Sequence, residues 1–247
     1  MKNFNAFTLA EVLITLGIIG VVAAVTMPTL ISNYKKHVVE TRLKQEVSLI
    51  QNAVRMAEAK HGFTNEWPNC SVTEEGNDNF VYECTENILK TYLAPELKIL
   101  KICKRNDFET CWTTPRALTS EKREYLIKNS SSGEVAAILS NGSSIYMWQG
   151  GMSKSATSSP HIQLWFDIDG PNKGFERLGG DVFGGRLNFY DSKGYKLTGI
   201  GNTIETLRNN TTDGCSENSI GYLAGRYCGA LIQANGWKIP KDYPIRF

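Results

Sequence analysis

The sequence predicts an α+β protein in which one long N-terminal α-helix, membrane-spanning and then amphipathic, packs against an antiparallel β-sheet head stapled by disulfides. Three observations carry that prediction. Residues 12–34 contain no charged side chain. Apolar residues continue past that run at helical spacing, with charges between them. From residue 134 onward the pattern changes to short apolar segments separated by Gly, Asn and Asp, as antiparallel strands and their turns read. A helix followed by strands is an α+β order.

In chain order, Met1-Lys-Asn-Phe-Asn-Ala6 is a short leader with one positive charge, Lys2. The uncharged run, Val12 to Tyr34, has 23 residues. At about 1.5 Å per residue it crosses the roughly 30 Å hydrocarbon core of a bilayer. Leu30, Ile31, Tyr34, Val38, Leu43, Val47, Ile50, Val54 and Ala57 carry the apolar stripe onward, while Lys35, Lys36, Glu40, Arg42, Lys44, Glu46 and Arg55 occupy much of the rest. Gly62 ends the pattern, a sensible helix stop. Phe7 to His61 therefore reads as one helix of 55 residues, about 80 Å long. The boundaries that follow are a leader at 1–6, a helix at 7–62 and a globular head at 63–247.

Within the head, residues 63–134 read as loop and short helices, with helical candidates at 86–93 and 119–127. Glu134 to Leu139, Asn141-Gly142 and Ser144 to Trp148 make a hairpin signal. His161 to Ile168 is a third strand, Arg186 to Tyr190 a fourth, and Tyr195 to Ile200 a further one. The sheet is expected on the outer half of the long helix. Trp67, Trp112, Trp148, Trp165 and Trp237 read mainly as core, with an aromatic binding face as the alternative.

All six cysteines, at 70, 84, 103, 111, 215 and 228, lie beyond the helix. The even count fits disulfides in an oxidising compartment. Of the fifteen connectivities, neighbours in sequence are the expected pairs: Cys70–Cys84, Cys103–Cys111 and Cys215–Cys228. The three histidines give a Cys/His zinc site little to work with. A net charge of +2 implies no strong pull towards nucleic acid. No nucleophile elbow, zinc-protease motif or phosphate loop occurs, so no enzyme is expected.

Two readings of the N-terminus compete. An ordinary secretory leader would be cut after a small pair such as Ala23-Ala24, leaving a secreted binding protein; an uncut one would leave a singly anchored one. Against this, Glu11 sits just inside the apolar run, where a carboxylate is costly and usually has a partner. The apolar segment also runs straight into an amphipathic helix instead of ending in a loop.

The segment from Ala6-Phe-Thr-Leu-Ala-Glu11 through Gly20 to Pro28 resembles the leader and processing motif of type IV pilins and of the pseudopilins of type II secretion. The resemblance implies a prepilin peptidase that cuts between Ala6 and Phe7 and methylates the new amine of Phe7. It matches Glu11 to the acidic residue used in assembly, and Gly20 and Pro28 to positions that loosen the helix. The family usually has Gly before the cut, and Ala6 implies slower or equal processing. The implied chain is a single-pass precursor in the cytoplasmic (inner) membrane, with its N-terminus cytoplasmic and its cysteines outside. Counting Lys and Arg around the span would favour the opposite orientation. Implied partners are membrane lipid before assembly, an inner-membrane assembly platform, and filament subunits of the same or a related type. A head of this size points to a minor or unusual subunit of a pilus or pseudopilus.

The stretch Asp167 to Gly174, followed by Leu178 to Phe183, also resembles a loop of pseudopilin-like proteins. Asp167, Asp169 and Asp181 are candidate oxygen ligands for calcium, the one cofactor considered, and none is required. The spacing is not that of an EF-hand, since Pro171 falls at a ligand position and no Glu stands at the twelfth. A metal-free turn is the alternative.

Overall fold

The computed structural model describes residues 8–70, 78–103, 105–120, 133–150, 161–189 and 194–247. The chain divides into two units, one holding the long helix as far as Val38 and the other running Val39–Ile245. That helix, α1, spans Leu9–His61 and passes Gly20 and Pro28 unbroken. From Leu9 to Tyr34 its side chains are exposed almost throughout.

Within the second unit α1 is amphipathic. Val39, Leu43, Val47, Ile50, Val54 and Ala57 are buried at steps of three and four. Glu46 is buried with them, so its place among the solvent-facing charges is corrected. It sits on the buried stripe because Asn141 Nδ2 donates to its Oε1. Burial raises its pKa, while hydrogen bonds from Ser143 and Asn141 and the Arg42 charge oppose the shift. Arg42 donates to Ile168 O at 3.2 Å and Gln51 to Tyr195 O at 3.1 Å. These bonds tie the outer half of the helix to the sheet. Gly62, at φ +85°, ends α1 in the left-handed region that favours glycine.

The sheet has six strands, β1 (Ile99–Cys103), β2 (Val135–Leu139), β3 (Ser144–Gly150), β4 (His161–Asp167), β5 (Val182–Asn188) and β6 (Tyr195–Leu197). They lie in sequence order, every neighbouring pair antiparallel. Asn141-Gly142 makes the β2–β3 turn, with Gly142 at φ +88°. One face carries Ala136, Tyr146, Trp165 and Val182, which pack with Phe108, Trp112, Leu178 and the Cys103–Cys111 disulfide. Trp67, Trp112 and Trp165 are buried and Trp148 and Trp237 partly so.

The disulfides join sequence neighbours: Cys70–Cys84, Cys103–Cys111 and Cys215–Cys228, with Cα separations of 5.5, 5.9 and 4.9 Å.

Several elements differ from expectation. Helix α2 (Asp78–Ile88) starts ahead of Glu86 and continues through a π-helical turn, Leu89–Leu93, into α3 (Ala94–Leu97). Lys98, at φ 51°, then turns the chain into β1, a strand inside the region expected as loop and short helices. Most of the helical candidate at 119–127 lies outside the described residues. β5 begins at Val182, not Arg186, and ends at Asn188. The glycine pair that hid its start is required there: a Cβ on Gly184 would come within 2.5 Å of the Trp165 ring, and one on Gly185 within 2.3 Å of Lys196 O. β6 is shorter than expected, and the tail adds α4 (Ile204–Asn209) and α5 (Cys228–Ala234).

Candidate functional site

The first candidate site is the exposed start of α1. Thr8 and Glu11 close a reciprocal cap. Glu11 Oε2 accepts from Thr8 N–H at 2.8 Å and from the Thr8 hydroxyl at 2.7 Å, while Glu11 N–H donates to Thr8 Oγ1 at 3.3 Å. This arrangement satisfies amides that the first turn would otherwise leave unpaired, and it puts a negative charge at the positive end of the helix dipole. Sequence reasoning singled out Glu11 but missed Thr8, although Thr-x-x-Glu ahead of an apolar run is the signal for it. The cap brings the Glu11 carboxylate back over the helix N-terminus, against Thr8. Ala6 and Phe7 themselves lie outside the described residues.

Beyond the cap the helix is long and apolar enough to cross a membrane, and none of its most apolar window is buried. Leu13, Leu16, Ile19, Val22 and Met27 are each more than half exposed. Nothing lies within 4 Å of a Cβ built on Gly17 or Gly20. Gly20 therefore leaves room on the helix surface for a close neighbour. Pro28 has no N–H to give, so the Ala24 carbonyl lacks its usual helical donor at that turn. An apolar surface this long is far beyond what a soluble monomer leaves bare. Its chemistry suits lipid, or a bundle of similar helices.

The second candidate is the acidic turn between β4 and β5. The structure brings Asp167, Asp169 and Asp181 to this one turn. Asp181 accepts three backbone donors: Phe175 N–H, Glu176 N–H at 2.8 Å and Arg177 N–H at 2.9 Å. Asp167 Oδ1 accepts from Asp169 N–H at 3.2 Å and Gly170 N–H at 3.1 Å. Gly174, at φ +76°, lets the turn close, because a Cβ there would meet Asp181 Oδ2 at 2.5 Å and Asp169 Oδ2 at 2.6 Å. Burial first, and then the Asp181 charge, push Asp167 up to about 9, and burial pushes Asp181 up to about 6.

The oxygens left without a hydrogen bond include Asp167 Oδ2 and Asp169 Oδ1. Calcium takes about six to eight oxygens. Among the described residues no group of three or more His, Cys, Asp or Glu is placed to hold a metal ion.

Two family comparisons match. The sequence model of a family described as a family of unknown function (DUF6613) covers residues 29–154 and 190–247. A prokaryotic N-terminal methylation motif covers residues 1–27. The first spans most of the chain and leaves the acidic turn outside its matched segments. The second makes the N-terminus that of a type IV pilin-like prepilin, and it implies processing by a prepilin peptidase and assembly with other pilin subunits. No curated protein and no solved structure matches the chain.

Proposed function

Because the chain belongs to the DUF6613 family and opens with a prepilin-type methylation motif, we propose that it is a structural subunit of a type IV pilus-like or type II secretion filament. It is made as an inner-membrane precursor with residues 1–6 as leader. The peptidase cuts between Ala6 and Phe7 and methylates Phe7, and residues 63–247 form the head on the far side of the membrane. In this reading the chain is a substrate, not a catalyst.

The observation that carries the proposal is the Thr8–Glu11 cap at the start of a bare apolar helix. Once cut, the Phe7 amine adds a positive charge to the positive end of the helix dipole, one turn from Glu11. A neighbouring helix sliding alongside offers its own Glu11 to that amine. In a low-dielectric bundle such a pairing is strong and fixes the axial stagger between subunits. Gly20 and Pro28 supply close approach and a weakened turn where the helix leaves lipid.

Mass spectrometry of the N-terminal peptide from the host's membrane and shed fractions tests this. N-methyl-Phe7 is the expected start. A start near Val25 would instead mean a conventional leader and a secreted binding protein, and an intact Met1 a plain anchor; either overturns the proposal.

The acidic turn is read here as structural, its carboxylates holding the turn's own amides. A calcium titration that raised the melting temperature by several degrees, with magnesium inert, would reassign Asp167, Asp169 and Asp181 as ligands.

A further inference from the structure

The outer end of the apolar stretch of α1 carries cations that neither the core nor the assembly scheme uses. The uncharged run closes at Tyr34, and Lys35 and Lys36 follow at once. Tyr34 and Lys35 are exposed, and Lys36 partly so. Arg246, also exposed, belongs to the same compact unit as the helix up to Val38. Chain continuity from Ile245, in the unit that begins at Val39, keeps Arg246 at the Val38 end of that helical segment. Among the described residues none of these three cations is held in an ion pair or hydrogen bond. Glu40 stands one turn beyond Lys36, but its carboxylate is already engaged. It accepts from Lys238 Nζ at 2.8 Å and from Ile239 N–H at 2.9 Å.

Position along the helix decides what the lysines meet. Lys35 follows Glu11 by 24 residues, about 36 Å at about 1.5 Å per residue. A bilayer has a hydrocarbon core of about 30 Å and measures about 40–45 Å with its headgroups. With Glu11 just inside one surface, Lys35 and Lys36 stand in the headgroup layer of the other. Tyr34 supplies a ring suited to that boundary, with its apolar body towards the acyl chains and its hydroxyl towards water. Lysine stems lie along apolar surface while the ammonium reaches outward. Successive helix positions turn by about 100°, so a neighbouring helix packed against one lysine leaves the other facing lipid.

The side of the membrane is a second observation. With the N-terminus cytoplasmic, these cations are carried outward, against the usual cytoplasmic bias of Lys and Arg near span ends. Residues 7–34 contain no Lys or Arg, so once the leader is cut nothing at the inner end offsets them. A pair kept outside against that bias points to a counter-charge on the outer surface.

Resting on the single-pass reading above, we propose that Lys35, Lys36 and Arg246 form a collar that binds anionic phospholipid headgroups in the outer leaflet of the inner membrane. The collar sets the depth of the subunit until a filament takes it up. Lysine meets a headgroup phosphate as a point charge, and the Arg246 guanidinium can offer it two parallel N–H donors. Each cation beside an anionic surface strengthens binding by about fivefold at low salt.

Native mass spectrometry of the full-length chain, released from nanodiscs of equal parts phosphatidylglycerol and phosphatidylcholine, tests this. The wild type is expected to retain phosphatidylglycerol at least about fivefold over phosphatidylcholine. The triple variant Lys35→Gln/Lys36→Gln/Arg246→Gln should retain both lipids equally. Lys60→Gln/Lys90→Gln/Lys98→Gln removes as many exposed cations from outside the collar and should leave the wild-type preference unchanged. Excess sodium phosphate should leave it unchanged too, because the collar reads headgroups held in a bilayer and not the free ion. Equal retention of the two lipids by the wild type, an unchanged preference in the first variant, an equal fall in the second, or loss of preference in phosphate would each overturn the proposal while the chain stays in the membrane. A chain that does not enter nanodiscs at all would overturn the single-pass reading itself, and the collar with it.

Discussion

Ile50→Ala is the sharpest test of how the long helix and the sheet hold together. Ile50 is fully buried on the stripe of α1 that continues through Leu43, Val47 and Val54. The substitution removes three carbons from that contact, and at about 0.8 kcal/mol per buried methylene the transfer loss is about 2.4 kcal/mol. The cavity left behind brings the total to about 3–4 kcal/mol. For a chain of this size each kcal/mol moves the melting temperature by about 2–4 °C, so a fall of roughly 6–16 °C is expected.

The assay is a thermal melt of the full-length chain in detergent micelles, disulfides intact, followed by circular dichroism. Ile19→Ala is the matched control, since Ile19 is 63% exposed on the same helix. The control should melt within about 1 °C of the wild type, as exposed substitutions usually do. If Ile50→Ala melts within about 2 °C of the wild type, or if both variants fall together, the outer half of α1 is not packed as described.

The remaining predictions concern assembly, the strand start and the acidic turn. Glu11→Gln should fold normally yet enter filaments far less well than the wild type in a pull-down of sheared fibres; equal incorporation would remove the charge pairing from the assembly scheme. Gly20→Ala should leave the melting temperature unchanged, because its Cβ meets nothing within 4 Å, and any loss should appear only in filament yield. Gly184→Ala should destabilise the head by about 1–3 kcal/mol through overpacking against Trp165, and an unchanged melt would refute the close approach of β5 to that ring.

Stability should fall as pH rises. Both Asp167 and Asp181 have folded values, about 9 and about 6, above the ordinary 3.8. The folded chain thus keeps protons that the unfolded chain has lost, and stability present below about pH 4 drains away as pH climbs towards 9. Asp167→Asn keeps the Oδ1 acceptor and should flatten that decline between pH 5 and 8. A slope equal to the wild type's would refute the assignment.

The sequence disclosed whatever depends on spacing along the chain. The helix, its stop at Gly62, the Asn141-Gly142 hairpin and the placement of β4 could all be read from periodicity and turn residues. What escaped it depends on contacts distant in sequence. Glu46 reads as one more solvent charge until Asn141 is placed against it, 95 residues further on. The Gly184-Gly185 pair reads as a strand breaker until Trp165 and Lys196 occupy the space their side chains would need. β1 escaped because it is short and follows Pro95 and a helix, with no alternation strong enough to separate it from loop. Thr8 is the exception, for its signal was local and was passed over.

The nearest-neighbour disulfides bear on how the head is oxidised. Partners are 14, 8 and 13 residues apart, and the sheet is laid down strand after strand in the order of translation. If the head is threaded across a membrane from its N-terminal side, each odd-numbered cysteine to emerge waits only a few seconds of synthesis for its mate, and no later thiol is needed to complete a bond. An oxidase that simply joins each cysteine to the next one exported makes the native set. Such a head is correctly cross-linked without disulfide shuffling, and a cell lacking isomerase activity should still produce it.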